Sequence, residues 1–249
     1  IFKLSSKKYG WNLNDMKAAG EYAPSSSWNK NKIEIKKDFN LNPKTDFLII
    51  PEIWGHFGKQ ILIDKKIKYA IFVQGFYHMN SSYNHKKLFE SYSKAKYIIT
   101  TSAHTLENLK YMFPKLKNKI LKVNISFDFK KFKIPNKKNN LITFMPRKLP
   151  DHYHILSLFL SQKLPKKWKI ESLSNLDEKK LLQKMCKSKI FLSFSHLEGF
   201  GLPPIEAAIA GNKVIGYPGG GGSEYWKKPI FEKIESGDIK DFCQKILET

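Results

Sequence analysis

Glu198 and Glu206 flank a short turn, EGFGLPP, that contains two glycines and ends in two prolines. Seven residues separate the two glutamates, so one precedes a predicted helix and the other lies in its second turn. A carboxylate on a helix can accept hydrogen bonds from paired hydroxyls, and a carboxylate in the turn can reach a different part of the same ligand. Each glutamate is also consistent with a simpler role, as a helix cap or a solvent-facing helical residue.

The turn between these glutamates has the features of an anion site. Gly199 and Gly201 lack side chains, so a ligand can approach the backbone closely there. Pro203 and Pro204 favour the first turn of a helix, whose unpaired N–H groups and positive dipole end attract phosphate. The segment therefore predicts a phosphate site at a helix N-terminus.

A basic pair, Arg147 and Lys148, follows the predicted strand Leu141–Met145. A departing phosphate gains negative charge, and a fixed guanidinium and ammonium stabilise that charge more in the transition state than in the ground state. Arg147 is the only arginine among the 44 basic residues, which indicates a need for a planar, forked donor. The alternative is an ordinary solvated surface residue.

A glycine tract, Gly219–Gly222, precedes Ser223 and Glu224. Successive glycine amides can form a nest for an anionic group, so we predict that Gly222 and Glu224 take part in ligand binding. The tract lacks the Gly-Lys-Ser/Thr ending of a nucleoside triphosphate-binding loop. A plain flexible turn is the alternative.

In the first half of the chain, Glu52 and Gln74 follow predicted strands, so both are expected at the sheet edge where ligands bind. His78 lies close to Gln74 in sequence, but a lone histidine after a strand is more often structural. No residue is assigned as a base that activates an acceptor.

Alternating strands and helices must hold these residues in place. Apolar runs rich in β-branched and aromatic residues recur, and most are continuous, as in parallel strands covered on both faces. The predicted fold class is therefore α/β. The predicted strands are Phe47–Ile50, Tyr69–Val73, Tyr97–Thr100, Ile120–Val123, Leu141–Met145, Trp168–Leu173, Ile190–Phe194 and Val214–Gly216. Three helices are predicted from their capping residues: Ala103–Met112 after Ser102, Ile155–Lys163 after Asp151, and Glu178–Lys187 after Asp177.

Residues 129–140, FKKFKIPNKKNN, show no apolar period and combine proline, asparagine and lysine, which is typical of a linker. We predict an N-terminal Rossmann-like domain at 1–130, a linker at 131–140 and a C-terminal, ligand-binding Rossmann-like domain at 141–249.

The segment SHLEGFGLPPIEAAIAGNKVIGYPGGGGSEYW resembles the donor-site signature of family-4 retaining glycosyltransferases of the GT-B fold. The segments FLIIPEIWG and YAIFVQGFYHMN, with the glycine-rich extension, are similar to a bacterial subgroup that works on surface polysaccharides. The resemblance implies two Rossmann-like domains that face a central cleft. It also implies transfer of a sugar from a nucleotide-sugar donor to a glycan or lipid-linked acceptor, with retention. The matching positions are Ser195, Glu198, Gly199, Phe200, Gly201, Leu202, Pro203, Glu206, Ala207 and Gly211.

The same resemblance implies roles for individual residues. Glu206 holds the donor ribose, Glu198 contacts the donor sugar, and the turn Gly199–Leu202, with Phe200 and Gly201, lines the diphosphate or the sugar. Arg147 and Lys148 match the basic pair that similar enzymes place on the diphosphate, and the last helix, Asp238–Leu247, packs back towards the first domain. Many related enzymes carry a histidine where Gln74 falls. This departure leaves the acceptor-activating residue open, and the leaving phosphate itself can take the acceptor proton.

The formal charge of +22 is unevenly distributed, with 27 basic against 10 acidic residues in 1–140 and 17 against 12 in 141–249. Such a field attracts anionic lipid, a phosphorylated substrate or nucleic acid, although lysine-rich composition inherited from an AT-rich genome explains it equally well. Two rival functions stay open: a non-catalytic subunit that binds nucleotide sugars, and a basic nucleic-acid-binding protein. No recognised nucleic-acid motif supports the second.

No Asp-x-Asp motif occurs, and the pair His152 and His154 has no carboxylate or cysteine cluster to complete a metal site. We therefore predict no metal and no cofactor besides the nucleotide-sugar substrate. Two cysteines are too few for a disulfide framework, and no apolar run approaches the roughly 20 residues that span a bilayer. We expect a cytoplasmic protein, peripheral at the inner face of the membrane.

Overall fold

Strands and helices alternate along the chain in a computed structural model that describes residues 41–82 and 84–249. Elements are numbered along these residues. The strands are β1 (Phe47–Pro51), β2 (Lys68–Val73), β3 (Tyr97–Thr100), β4 (Ile120–Lys122), β5 (Leu141–Phe144), β6 (Lys169–Ser172), β7 (Ile190–Glu198), β8 (Lys213–Gly220) and β9 (Phe231–Lys233). The α-helices are α1 (Gly58–Lys65), α2 (His85–Lys94), α3 (Ala103–Met112), α4 (Pro150–Ser161), α5 (Glu178–Lys187), α6 (Leu202–Ile209) and α7 (Ile239–Leu247).

The first sheet is parallel and has the order β1-β2-β3-β4, with one helix in each crossover. Because consecutive right-handed crossovers in one direction place their helices on one face, the helices of the described residues cover one face of this sheet. Leu48, Ile50 and Ile71 are buried on that face, whereas Phe47 and Ile49 alternate with them and are nearly half exposed. The alternation follows the period of two along a strand.

The second sheet is also parallel and has the order β6-β5-β7-β8-β9. Both of its faces are covered, because β5 and the first half of β7 are buried throughout. The terminal helix α7, which was expected to pack back towards the first domain, buries Phe242, Cys243 and Ile246 in the core of this sheet. These two parallel sheets confirm the predicted α/β class.

All eight predicted strands are present as β1–β8, and β9 is an additional strand of three residues. Two predicted helix caps are confirmed: the Ser102 hydroxyl accepts from the amide of Thr105, and the Asp177 carboxylate accepts from the amide of Lys180. The third is wrong, because α4 begins at Pro150 rather than after Asp151. Proline suits the first helical position, since its missing N–H has no partner there.

The linker segment contains one short 3₁₀ turn, Phe129–Lys131. Beyond it, the ammonium of Lys138 donates to the carbonyls of Ser188 and Ala210, both at 2.7 Å, and burial lowers its pKa to about 8. Residues 47–249 pack as one compact unit that contains both sheets. The division at 131–140 stays a prediction.

Within the part of the chain that the structure describes, no helix is both long enough and apolar enough to cross a membrane.

Candidate functional site at the edge of the second sheet

The turn singled out in the sequence lies between the longest strand and a helix. Strand β7 ends at Glu198, and α6 begins at Leu202 with Pro203 and Pro204 in its first turn. Gly201 precedes the helix with φ of 80°, a left-handed conformation that glycine adopts without the penalty of a side chain. Gly201 has no side chain to cap this helix, and Pro203 and Pro204 carry no N–H, so the amides of Gly201 and Leu202 are the donors that the helix start can offer an anion.

Lys148 and Glu198 form an ion pair beside this turn. The Lys148 Nζ lies 2.5 Å from Glu198 Oε1 and donates to the carbonyl of His196 at 3.1 Å. Their side chains are 30% and 23% exposed, so both remain accessible to a ligand. Arg147 is exposed immediately before Lys148.

A cavity of about 440 Å³ joins these groups. The loop after β5, with Arg147 and Lys148, forms one side, and Glu198 and the prolines of α6 form another. The loop after β6 contributes Ser174 and Asn175. The cavity thus combines two cationic side chains, one carboxylate and a helix N-terminus at the carboxyl ends of parallel strands, where open α/β sheets bind ligands.

Glu206 lies outside the set of residues that line this cavity. Its carboxyl is partly buried, and burial raises its pKa, with a further increase from the neighbouring Glu178 and a decrease from Lys131. Lys131 and Glu178 form an ion pair of 2.9 Å. The second carboxylate of the motif therefore faces the linker turn and the start of α5.

The glycine tract packs directly against the turn. A Cβ atom added to Gly219 would lie 3.1 Å from the side chain of Glu198, and one added to Gly221 would overlap the carbonyl oxygen of Gly199. Gly222 is buried in the same tract. Because these glycines have no side chains, the end of β8 can lie close to the turn after β7.

Tyr225 fixes the same turn and was missed in the sequence analysis. Its hydroxyl donates to the carbonyl of Gly201 at 2.6 Å, and the carbonyl of Phe200 is 3.1 Å away. Burial raises the pKa of this phenol, and the carboxylates Glu198 and Glu224 raise it further. No spacing rule points to a tyrosine 24 residues after its partner.

The first sheet reaches the site through Gln74 and Gly75, which follow β2. A Cβ atom on Gly199 would overlap the carbonyl oxygen of Gln74 and would lie 2.8 Å from Gly75 Cα. The carboxylate of Glu52, which is only 3% exposed, accepts from the amides of Gln74 at 3.2 Å and Gly75 at 3.3 Å. Burial raises the pKa of Glu52, and these amides lower it. The side chain of Gln74 is exposed. Its contact with a ligand stays a prediction.

Glu224 contacts elements of the first sheet. Its carboxylate accepts from the amide of Ala103 at 2.6 Å and forms an ion pair with Lys122 at 3.0 Å. Its predicted role as a donor ligand stays a prediction.

The histidines are dispersed. His78 and His196 are exposed, and the Nδ1 of His152 lies 3.0 Å from the hydroxyl of Tyr217. Across residues 41–82 and 84–249, no group of three or more histidine, cysteine, aspartate or glutamate side chains is arranged to hold a metal ion.

No protein-family model and no curated protein matches this chain. Solved structures do match it. The pneumococcal O-GlcNAc transferase GtfA in complex with UDP and GlcNAc is 16% identical, with a TM-score of 0.57 over 76% of this chain and 47% of that one. A sucrose-phosphate synthase from Thermosynechococcus elongatus is 14% identical, with a TM-score of 0.58 over 81% of this chain and 64% of that one. A UDP-forming α,α-trehalose-phosphate synthase from Burkholderia vietnamiensis is 8% identical, with a TM-score of 0.60 over 83% of this chain and 66% of that one.

These likenesses show the fold, which is that of GT-B glycosyltransferases, and confirm the predicted pair of Rossmann-like sheets. The chain spans less than two thirds of the length of each of these proteins. The family-4 assignment and the retaining subgroup stay predictions.

Proposed function

We propose that the protein is a glycosyltransferase that moves a sugar from a nucleoside diphosphate to a glycan or lipid-linked acceptor, with retention and without a metal. The observation that carries this proposal is the Lys148–Glu198 ion pair inside a cavity that also contains Arg147 and the first turn of α6. The neighbouring GT-B structures support it, since one was solved with UDP and GlcNAc and another is a UDP-forming synthase.

The diphosphate would bind between the basic pair and the helix start. Lys148 and Arg147 supply positive charge, and the amides of Gly201 and Leu202 supply hydrogen-bond donors at the positive end of the α6 dipole, since Pro203 and Pro204 have no N–H. An arriving diphosphate competes with Glu198 for the Lys148 ammonium, which frees the carboxylate for the hydroxyls of the transferred sugar.

The remaining predicted ligands would bind other parts of the donor, with Glu206 outside the cavity that holds the basic pair. The turn Gly199–Leu202, including Phe200 and Gly201, offers backbone to the diphosphate or the sugar, and Glu206 accepts from the ribose hydroxyls. Gln74 and Gly222 would contact the donor near the same turn, and the packing of Gly75 and Gly221 on Gly199 supports this. Backbone amides suit this site because their positions are fixed by the fold before the polar groups of the donor bind.

In the reaction, the bond between the anomeric carbon and the β-phosphate oxygen breaks, and a bond to an acceptor oxygen forms. The acceptor proton passes to an oxygen of the leaving phosphate. Negative charge grows on that phosphate as the bond breaks, so Arg147 and Lys148 stabilise the transition state more than the bound donor.

The proposal places the protein in the cytoplasm, peripheral at the inner face of the membrane. The excess of basic residues in 1–140 supports contact with anionic headgroups. Activity that is the same with and without anionic vesicles would argue against this part.

The primary test is a thermal-shift panel of UDP, GDP, ADP and TDP with their sugars, followed by transfer assays with the donors that bind. One nucleoside diphosphate should raise the melting temperature, since a ligand that binds only the folded state stabilises it. Tight binding without hydrolysis or transfer would indicate a non-catalytic subunit. If no nucleotide binds while a generic oligonucleotide binds with a steep salt dependence, the nucleic-acid alternative is correct.

A further inference from the structure

Glu224 follows strand β8 of the second sheet and contacts two elements of the first sheet, α3 and β4. It ends the 3₁₀ turn Gly221–Glu224 that follows β8. Its carboxylate accepts from the amide of Ala103 at 2.6 Å, and the Lys122 Nζ lies 3.0 and 3.2 Å from its two oxygens. Only 22% of this side chain is exposed, against 29% for Lys122.

The contact combines two sources of positive potential. Ala103 is the first residue of α3, so its amide has no partner within the helix, and the carboxylate also lies at the positive end of the helix dipole. The hydroxyl of Ser102 already accepts from the amide of Thr105. Glu224 therefore completes the capping of α3 with a group from the other sheet.

Neighbouring contacts lie along the same seam. A Cβ atom on Gly220 would lie 2.6 Å from the Tyr77 hydroxyl and 3.0 Å from the ring of His104. On the other side of the tract, Gly221 packs on the carbonyl of Gly199. The glycine tract thus lies between the first sheet and the candidate site, and Glu224 is its charged end.

We propose that Glu224 is a positioning residue that couples the approach of the two sheets to the placement of the glycine tract against the Glu198–Gly199 turn. This rests on the proposed function, because the turn is taken as the donor-sugar site. Glu224 acts through Gly221 and does not itself bind the donor. Replacing Lys122, the ion-pair partner of Glu224, should therefore have the same effect as replacing Glu224, although Lys122 does not contact the donor in the proposed arrangement.

The test measures the distance between the sheets independently of activity. Spin labels are placed at Tyr111→Cys on α3 and Leu158→Cys on α4, which are 91% and 72% exposed, while both native cysteines are buried. Glu224→Gln and Lys122→Ala should shift the electron–electron distance distribution to longer values. Glu90→Gln is the matched control, because its 2.7 Å ion pair with Lys59 lies within the helices of the first sheet.

Kinetics supply the second readout. In Glu224→Gln and Lys122→Ala, transfer at saturating donor should fall about tenfold, while the Kd for the nucleoside diphosphate changes less than about twofold. A distance distribution in Glu224→Gln identical to that of the native protein would overturn the proposal. So would a large loss of nucleotide affinity in Glu224→Gln alone, since that would make Glu224 a donor ligand. If the native protein binds no nucleotide, the proposed function fails, and the distances still decide whether Glu224 couples the sheets.

Discussion

The ammonium of Lys148 and the carboxylate of Glu198 lie 2.5 Å apart, although the two residues are 50 positions apart in the chain: Lys148 follows β5, and Glu198 ends β7. Strands β5 and β7 are neighbours in a parallel sheet, so their carboxyl ends open at the same edge. The pair brings opposite charges to one cavity without burying either. A polyanionic ligand that engages Lys148 would release Glu198 to accept hydrogen bonds, which is the property that a sugar diphosphate site requires.

Replacing Arg147 with alanine should depress turnover more than donor binding. Its guanidinium would stabilise charge that develops on the leaving phosphate, so we expect a loss of about 100-fold in kcat and only a few-fold rise in donor Kd. Steady-state kinetics with calorimetric donor titration would measure both. Arg147→Lys keeps the charge without the planar fork and should recover part of kcat. Equal losses in kcat and in affinity would show that Arg147 binds the ground state as strongly.

Replacing Glu206 with alanine should weaken donor binding about tenfold, because two ribose hydroxyls lose their acceptor. Burial raises the pKa of this carboxyl, so nucleoside diphosphate affinity should fall as the pH drops through that raised pKa. Titrations that run from neutral pH down into the acid range, through that raised pKa, would reveal the change. Glu206→Gln should bind weakly with little pH dependence; a pH response that persists in this variant would assign it to another group.

The same raised pKa has a consequence for stability. A folded-state pKa above the unfolded value means that the folded protein holds the proton more tightly, so stability is lost as the pH rises through the folded pKa. Glu206→Gln should therefore unfold at a higher temperature than the native protein at neutral pH, and the difference should shrink in acid. Thermal melts at both pH values measure this, and a neutral-pH destabilisation would contradict it.

Replacing Gly199 with alanine should separate the turn from the first sheet. The added Cβ atom would overlap the carbonyl oxygen of Gln74, and backbone cannot move aside as easily as the end of a side chain. We expect transfer to fall below about 1% of the native rate, in line with the cost of a misplacement of about 1 Å. Gly237→Ala is the control, since its Cβ atom meets open space although its φ of 95° adds backbone strain. Similar losses in both variants would mean that instability, and not position, is responsible.

Tyr225→Phe removes the hydroxyl that holds the carbonyl of Gly201. The unfolding free energy should fall by about 1 kcal/mol, the net value of one hydrogen bond, and kcat should fall several-fold because the turn is less fixed. Denaturant melts and kinetics measure the two effects. Tyr111→Phe, at a tyrosine that is 91% exposed, should change neither. A Tyr225→Phe variant with native kinetics would exclude a role for this hydroxyl in shaping the site.

Local patterns in the sequence predicted the strands, two of the three helix caps, and the strand, turn and helix around Gly199 and Gly201. These features depend on residues within a few positions of one another, which is why a single sequence suffices. The predicted start of α4 is too late, because Asp151 is a common capping residue, whereas Pro150 occupies the first helical position that proline favours. Strand β9 is not predicted from the sequence, because a strand of three residues is too short to show a periodic hydrophobic pattern.

The sequence by itself determined the chemistry that the chain can offer: two glutamates, a basic pair, and a glycine turn held at the start of a helix. Only the tertiary structure decided which of these groups meet. It placed Lys148 on Glu198, moved Glu206 towards Lys131 and Glu178, and brought the Glu224 carboxylate to Ala103, 121 residues away. Contacts over such separations follow from the packing of whole sheets, which depends on many side chains at once and leaves no short-range pattern.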